Sequence, residues 1–161
     1  RLEVTAVPSG SVMVRRTTMR AMSSRMPYST FEKLSPMMIA SSKAEEKVSP
    51  NSRAFAANAD RAEPWVDPVT YASGLRVPTP LGDRLLLRAL RESDGAAVAI
   101  DDAVMRVQTE RLSAATGVDA APEGGCALAA LEVLVASRTL GSTSEVVLFN
   151  TGSGASYRWR D

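Results

Sequence analysis

Hydroxyl side chains alternate with glycines in residues 150–154, Asn-Thr-Gly-Ser-Gly, directly after the apolar run 145–149. The hydroxyls of Thr151 and Ser153 can donate or accept hydrogen bonds, and Gly152 and Gly154 allow the backbone to approach a ligand closely. The pattern therefore favours a turn that holds a cofactor. The alternative is a turn that only ends a strand, with glycines that adopt positive φ.

Two further segments carry side chains that suit ligand binding. Pro-Glu-Gly-Gly at residues 122–125 is typical of a helix N-terminus, where Glu123 either stabilises its own helix or lies beside a ligand. Arg76, in the loop Ser-Gly-Leu-Arg-Val-Pro at residues 73–78, offers a guanidinium group that can bind a phosphate or carboxylate with two hydrogen bonds. A solvated surface arginine is the alternative for Arg76, and we assign it no role.

Alternating helices and strands are predicted to position these segments. The pattern predicts a helix over residues 83–93, a buried strand at 96–100, a helix capped by Asp101 that ends at Gly117, a helix over 122–141 and a strand at 145–149. Residues 146–149 of this last strand are predicted to be buried on both faces. The apolar face of the first of these helices is predicted to consist of Leu85, Leu86, Ala89 and Leu90. The order predicts an α/β fold, a partial parallel sheet covered by helices, with ligands at the carboxyl ends of the strands.

Residues 1–52 differ in character from the rest, because neither a period of 2 nor one of 3.6 persists in them. We predict an irregular or disordered segment, a fragment end or a stretch read in the wrong frame. Its only local signals are a brief strand pair across Pro8-Ser9-Gly10 and a helical turn before Pro36. The C-terminal α/β part is predicted to begin at residue 53, with a helix over 52–63 ended by Pro64 and a loop to Gly82.

Composition excludes several classes of function. The sequence has no histidine, so Ser-His-Asp and Cys-His catalysis and histidine metal sites are excluded, and we predict no metal. With 19 basic and 18 acidic side chains, the net charge of +1 gives no reason to expect a nucleic-acid partner. The lone Cys126 is predicted to pack in the core of a cytoplasmic protein, and the longest apolar run is shorter than the roughly 20 residues that span a bilayer.

Three segments together resemble one enzyme family. They are "ASGLRVPTPLGDRLLLRALRESDGAAVAIDD", "SAATGVDAAPEGGCALAALEVL" and "VVLFNTGSGASY". In this order they resemble the C-terminal part of threonine synthase, a pyridoxal-phosphate enzyme with the fold type II of the tryptophan-synthase β subunit. The resemblance covers residues 53–157 and implies that pyridoxal 5'-phosphate is the cofactor.

The resemblance implies a role for each candidate residue. Thr151 would lie beside the pyridine nitrogen of the cofactor, Gly152 and Gly154 would let the ring sit against main chain, and Glu123 would lie near the cofactor. The family often has a lysine shortly after the Thr-Gly turn, where this chain has Ala155 and Ser156.

The catalytic residue stays unknown. The Schiff-base lysine, the asparagine loop and the phosphate cradle of the family belong to earlier portions of its chain, and the surroundings of Lys33, Lys43 and Lys47 do not resemble the Schiff-base site. No lysine is therefore assigned a catalytic role, and the chain alone is expected to be inactive.

Three classes of function remain open. The leading hypothesis is a fragment of threonine synthase, a carbon-oxygen lyase that forms threonine and phosphate from O-phosphohomoserine and water and would be a homodimer when complete. A related threonine or serine dehydratase keeps the fold and the cofactor. A truncated non-catalytic paralogue, or a small anion-binding module, would do no chemistry.

Overall fold

A computed structural model describes residues 3–6, 11–15, 38–44, 47–141, 144 and 146–158. The strands are β1 (Glu3–Ala6), β2 (Ser11–Arg15), β3 (Met38–Ala44), β4 (Lys47–Val48), β5 (Ala96–Asp101) and β6 (Val146–Phe149). The helices are α1 (Pro50–Ala56), α2 (Asp83–Glu92), α3 (Asp102–Thr116) and α4 (Pro122–Ala136). Described residues 38–102 form one compact unit, and those before residue 16 and after residue 102 form another.

The unit of residues 38–102 is built on a three-stranded sheet of order β4-β3-β5. β3 is parallel to β5, from Met38 opposite Ala96 to Lys43 opposite Asp101, and antiparallel to β4. α1 contacts both β5 and α2. The predicted α/β class is thereby confirmed, with parallel pairing between β3 and β5.

Regular structure begins earlier than predicted, because four strands and the start of α1 precede residue 53. The strand pair predicted across Pro8-Ser9-Gly10 is confirmed: β1 and β2 pair antiparallel, from Glu3 opposite Arg15 to Ala6 opposite Val12. The helical turn predicted before Pro36 lies outside the described residues. Sequence periodicity missed β3 because its partner β5 is more than 50 residues away.

α1 is shorter than the predicted helix over 52–63. It begins at Pro50, whose fixed φ suits a first helical turn, and ends at Ala56. Asn58 then adopts a left-handed φ of 52°, and its N–H donates to Phe55 O (3.1 Å) while the Ala59 N–H donates to Ala54 O (2.8 Å). This Schellman closure ends the helix before Pro64 can.

The predicted bounds of α2 are confirmed within one residue; its predicted apolar face is confirmed at Leu90 and wrong at Leu85. Leu87 and Leu90 are fully buried, whereas Leu85 is 63% exposed. Three consecutive leucines cover most of the helix circumference, so the periodicity does not distinguish between faces, and packing within the unit selects the Leu87 side.

The other unit contains an antiparallel sheet of order β1-β2-β6, together with α3 and α4. The prediction that β6 belongs to a parallel sheet and is buried on both faces is wrong. β6 pairs antiparallel with β2, Leu148 is buried and Phe149 is 52% exposed. An antiparallel strand with one covered face alternates in this way.

α3 and α4 approach closely at Gly125. A Cβ atom there would lie 2.0 Å from Thr109 Oγ1 and 2.7 Å from Met105 O, so only glycine fits. The buried Gln108 donates to Glu132 Oε2 (2.7 Å) and adds a polar link between the helices. Cys126 is fully buried in α4, as predicted.

α4 ends earlier than the predicted position 141. Its last residue is Ala136, and Arg138 adopts a left-handed φ of 62°. No helix among the described residues has the length and apolar character needed to cross a membrane.

Candidate functional site

The Asn-Thr-Gly turn begins where β6 ends and lies against the start of α4. Asn150 is buried, and its side-chain Oδ1 accepts a hydrogen bond from the N–H of Ala121 (3.2 Å), the residue directly before α4. Its Nδ2 donates to the carbonyl oxygen of Gly152 (2.9 Å). One side chain thus joins the end of the strand, the turn and the helix N-terminus.

Neither Gly152 nor Gly154 has a positive φ, so backbone conformation does not require glycine at these positions. Both are required because neighbouring residues approach them closely. A Cβ atom on Gly152 would lie 3.0 Å from Ala121 Cβ, and one on Gly154 would lie 2.4 Å from Asp119 Oδ1 and 2.9 Å from Ala120 O. The alternative that these glycines serve positive φ is therefore wrong. They allow the turn to pack against residues 119–121.

Asp119 holds the second half of the turn. Its main-chain oxygen accepts from Gly154 N (3.0 Å), and its carboxylate accepts from Ser153 Oγ (3.2 Å). Arg158 donates to both carboxylate oxygens, at 3.0 and 2.8 Å. These hydrogen bonds, with that from Arg158 the largest, lower the pKa of the Asp119 carboxyl group below its ordinary 3.8, although burial opposes them.

Glu123 lies beside the turn in the first turn of α4. Its Oε2 is 3.8 Å from the position that a Cβ of Gly152 would occupy, and its Oε1 accepts a hydrogen bond from the hydroxyl of Tyr157. The structure therefore brings together Glu123 and Gly152, two of the predicted site residues. Tyr157, which the sequence did not single out, joins them from the short 3₁₀ helix Gly154–Tyr157.

Thr151 is exposed, as are the next two residues of the turn, Gly152 and Ser153. Both neighbours are fixed, since Asn150 bonds Ala121 and the Gly152 carbonyl accepts from Asn150. No described residue forms a hydrogen bond with the Thr151 hydroxyl. A hydroxyl on a backbone that is held on both sides, and that no described residue uses, is suited to a ligand contact.

The remaining candidates belong to the other compact unit. Ser73, Gly74 and Leu75 form a 3₁₀ turn, and Arg76 directly after it is exposed. The loop before this turn is held by Asp102, which accepts from Thr70 Oγ1 (2.7 Å) and from Tyr71 N (2.9 Å).

The structure describes only the backbone of Lys43 and Lys47, so it assigns neither lysine the role of a nucleophile. The backbone of Lys43 lies in β3 opposite Val48, the backbone of Lys47 lies in β4, and Lys33 lies outside the described residues. Within the described part of the chain, no cluster of three or more histidine, cysteine or acidic side chains could hold a metal ion.

Comparison with known proteins gives two matches. A family model described as "Pyridoxal-phosphate dependent enzyme" matches residues 33–152. A threonine synthase of Methanosarcina acetivorans is 28% identical over 103 residues, which make up 64% of this chain and 25% of that relative. The matched part thus spans about a quarter of the length of the relative.

The family match begins earlier than the resemblance found in the sequence. It includes residues 33–52, which were predicted to lie outside the family, and with them β3, β4 and the start of α1. It ends at Gly152, within the Thr-Gly turn.

Proposed function

Because the chain belongs to the family of pyridoxal-phosphate-dependent enzymes, we propose that it forms one wall of the cofactor site of a threonine synthase. Pyridoxal phosphate is the cofactor of this family. In the complete enzyme, O-phosphohomoserine and water would give threonine and phosphate, a carbon-oxygen lyase reaction. A homodimeric assembly and a cytoplasmic location are further parts of this proposal.

The observation that carries the proposal is the exposed Thr151, placed between two tethered residues at the end of β6. The residues present fit a pyridine ring in one respect: Thr151 is exposed, and its hydroxyl is not used by any described residue. A single neutral hydroxyl suits the single nitrogen of such a ring.

Thr151 would bind and orient the ring by donating its hydroxyl proton to the pyridine nitrogen. When bound, the cofactor supplies the electron sink that makes the α-proton of an amino-acid substrate acidic. A hydroxyl donates to an unprotonated nitrogen, whereas an aspartate would stabilise the protonated form and strengthen the sink. The choice of threonine therefore tunes the strength of the sink.

Glu123 and Gly152 would border the ring beside Thr151. The hydrogen bond from the Tyr157 hydroxyl holds the Glu123 side chain beside the turn at the start of α4. Gly152 would present its main chain to the ring. The substrate assignment rests on the relative from Methanosarcina acetivorans, which is named a threonine synthase.

The test is an assay of the protein produced from its own gene, with all contiguous coding sequence and with pyridoxal phosphate present. Phosphate release from O-phospho-L-homoserine is measured alongside ammonia release from L-threonine and L-serine. We expect phosphate and threonine in equal amounts. Ammonia release without phosphate release would instead identify a dehydratase, and neither product, with cofactor bound, would identify a non-catalytic paralogue.

A further inference from the structure

Asn150 is a buried polar side chain, 9% exposed, that sequence periodicity did not single out. Both ends of its amide are used, because Oδ1 accepts from Ala121 N and Nδ2 donates to Gly152 O. Leaving either of these groups unpaired in the interior would be costly. The amide thus has one orientation that satisfies both partners.

The space for this amide exists because residue 124 is glycine. A Cβ atom on Gly124 would lie 2.3 Å from Asn150 Oδ1 and 3.2 Å from a methyl carbon of Leu112. The first turn of α4 therefore forms a slot that the Asn150 side chain fills. The slot fixes the position of Asn150, which directly precedes the exposed Thr151.

We propose that Asn150 is a positioning residue of the cofactor site. It does not touch the ring. Its acceptor atom ties the turn to α4, and its donor atom fixes the Gly152 carbonyl, so that the backbone of Thr151 is held on both sides. This inference rests on the proposed function, because the hydroxyl it positions is the one assigned to the pyridine nitrogen.

Replacing Asn150 by aspartate separates the two hydrogen bonds. The carboxylate of Asn150→Asp still accepts from Ala121 N, and a negative charge is favourable at the N-terminus of α4. It has no proton to donate to Gly152 O. The substitution therefore keeps the link to the helix and releases the turn.

The experiment compares wild-type protein with Asn150→Asp in two measurements. The first is binding of 4'-deoxypyridoxine 5'-phosphate, a cofactor analogue without the aldehyde, followed by calorimetry. The second is hydrogen exchange, without ligand, of the Gly154 and Ala155 N–H groups in the turn. Asn58→Asp adds the same charge at an exposed position in the other compact unit and serves as the matched control.

We expect Asn150→Asp to weaken analogue binding by about tenfold, the loss typical of one or two hydrogen bonds. We also expect faster exchange in the turn, a lower unfolding midpoint because the Gly152 carbonyl loses its donor, and an unchanged control. Wild-type affinity and wild-type exchange in Asn150→Asp would overturn the positioning role. If wild-type protein does not bind the analogue, the proposed function fails, and the exchange measurement still decides whether Asn150 holds the turn.

Discussion

The absence of side chains at Gly124, Gly152 and Gly154 determines how closely the turn after β6 approaches α4. Each of these glycines meets a neighbouring atom within about van der Waals distance of its missing Cβ. The turn is held from two sides, by the buried amide of Asn150 and by the exposed pair of Asp119 and Arg158. The Asn150 amide is buried and the Asp119–Arg158 pair is exposed, so the contribution of each to stability is tested with separate variants.

Gly124→Ala should lower the free energy of unfolding by about 1–3 kcal/mol, because the new methyl group displaces the Asn150 amide and overpacks the slot. The same substitution should cost clearly less in an Asn150→Ala background, where the clashing oxygen is absent. Urea unfolding of the four proteins in this cycle measures the coupling. If the losses of unfolding free energy from the two substitutions were additive, this would contradict the claim that Gly124 leaves the space for the Asn150 amide. Gly82→Ala, at a position with no neighbour within 4 Å, is the control.

Asp119→Asn tests the exposed support through pH. The folded-state pKa of Asp119 is lowered, chiefly by Arg158, so its contribution is present above the ordinary value of 3.8 and lost as pH falls through the folded pKa. Wild type should therefore unfold at a higher temperature than Asp119→Asn at neutral pH, and the difference should vanish in acid below that value. A difference that persists at low pH would contradict the role of the ionised carboxylate.

At the scale of elements, the helix ends show which boundaries a sequence can specify. α1, α2 and α4 are each followed by a left-handed residue, which is Asn58, Asp94 and Arg138 in turn. Asparagine and aspartate tolerate this conformation, because their short polar side chains can form local hydrogen bonds, whereas arginine has no such advantage.

Arg138→Gly should therefore raise the free energy of unfolding by about 1 kcal/mol, because glycine adopts the φ of 62° at this position without the Cβ clash. Arg138→Ala keeps the Cβ and should bring no gain. Chemical unfolding of both variants and of wild type measures the difference. Equal stability of the glycine and alanine variants would show that the C-terminus of α4 is not strained.

The bounds of α2, β5 and α3 could be predicted from the sequence because caps, charges and short apolar runs are local signals. The partner of β6 and the burial of Leu87 in place of Leu85 could not, since both depend on contacts between distant segments. The Thr-Gly turn and the start of α4 were each found as motifs. Their contact through Asn150 was missed, because a single buried asparagine leaves no periodic pattern.

At the scale of the whole molecule, the family and the residues of the candidate site give a consistent account. The family match covers residues 33–152, and the segment at its C-terminal end holds Thr151 in an exposed position. The relative from Methanosarcina acetivorans is matched over about a quarter of its length, so the substrate and the reaction of the complete protein rest on the proposal. Binding of the cofactor ring is tested on the protein produced with all contiguous coding sequence.

The central claim is that the Thr151 hydroxyl contacts the pyridine nitrogen. Titration of wild type, Thr151→Ser and Thr151→Val with 4'-deoxypyridoxine 5'-phosphate, followed by calorimetry, tests it most directly. Serine keeps the hydroxyl and valine keeps the shape, so we predict affinities within about twofold of wild type for serine and about tenfold weaker for valine. Equal affinities for wild type and Thr151→Val would contradict the account.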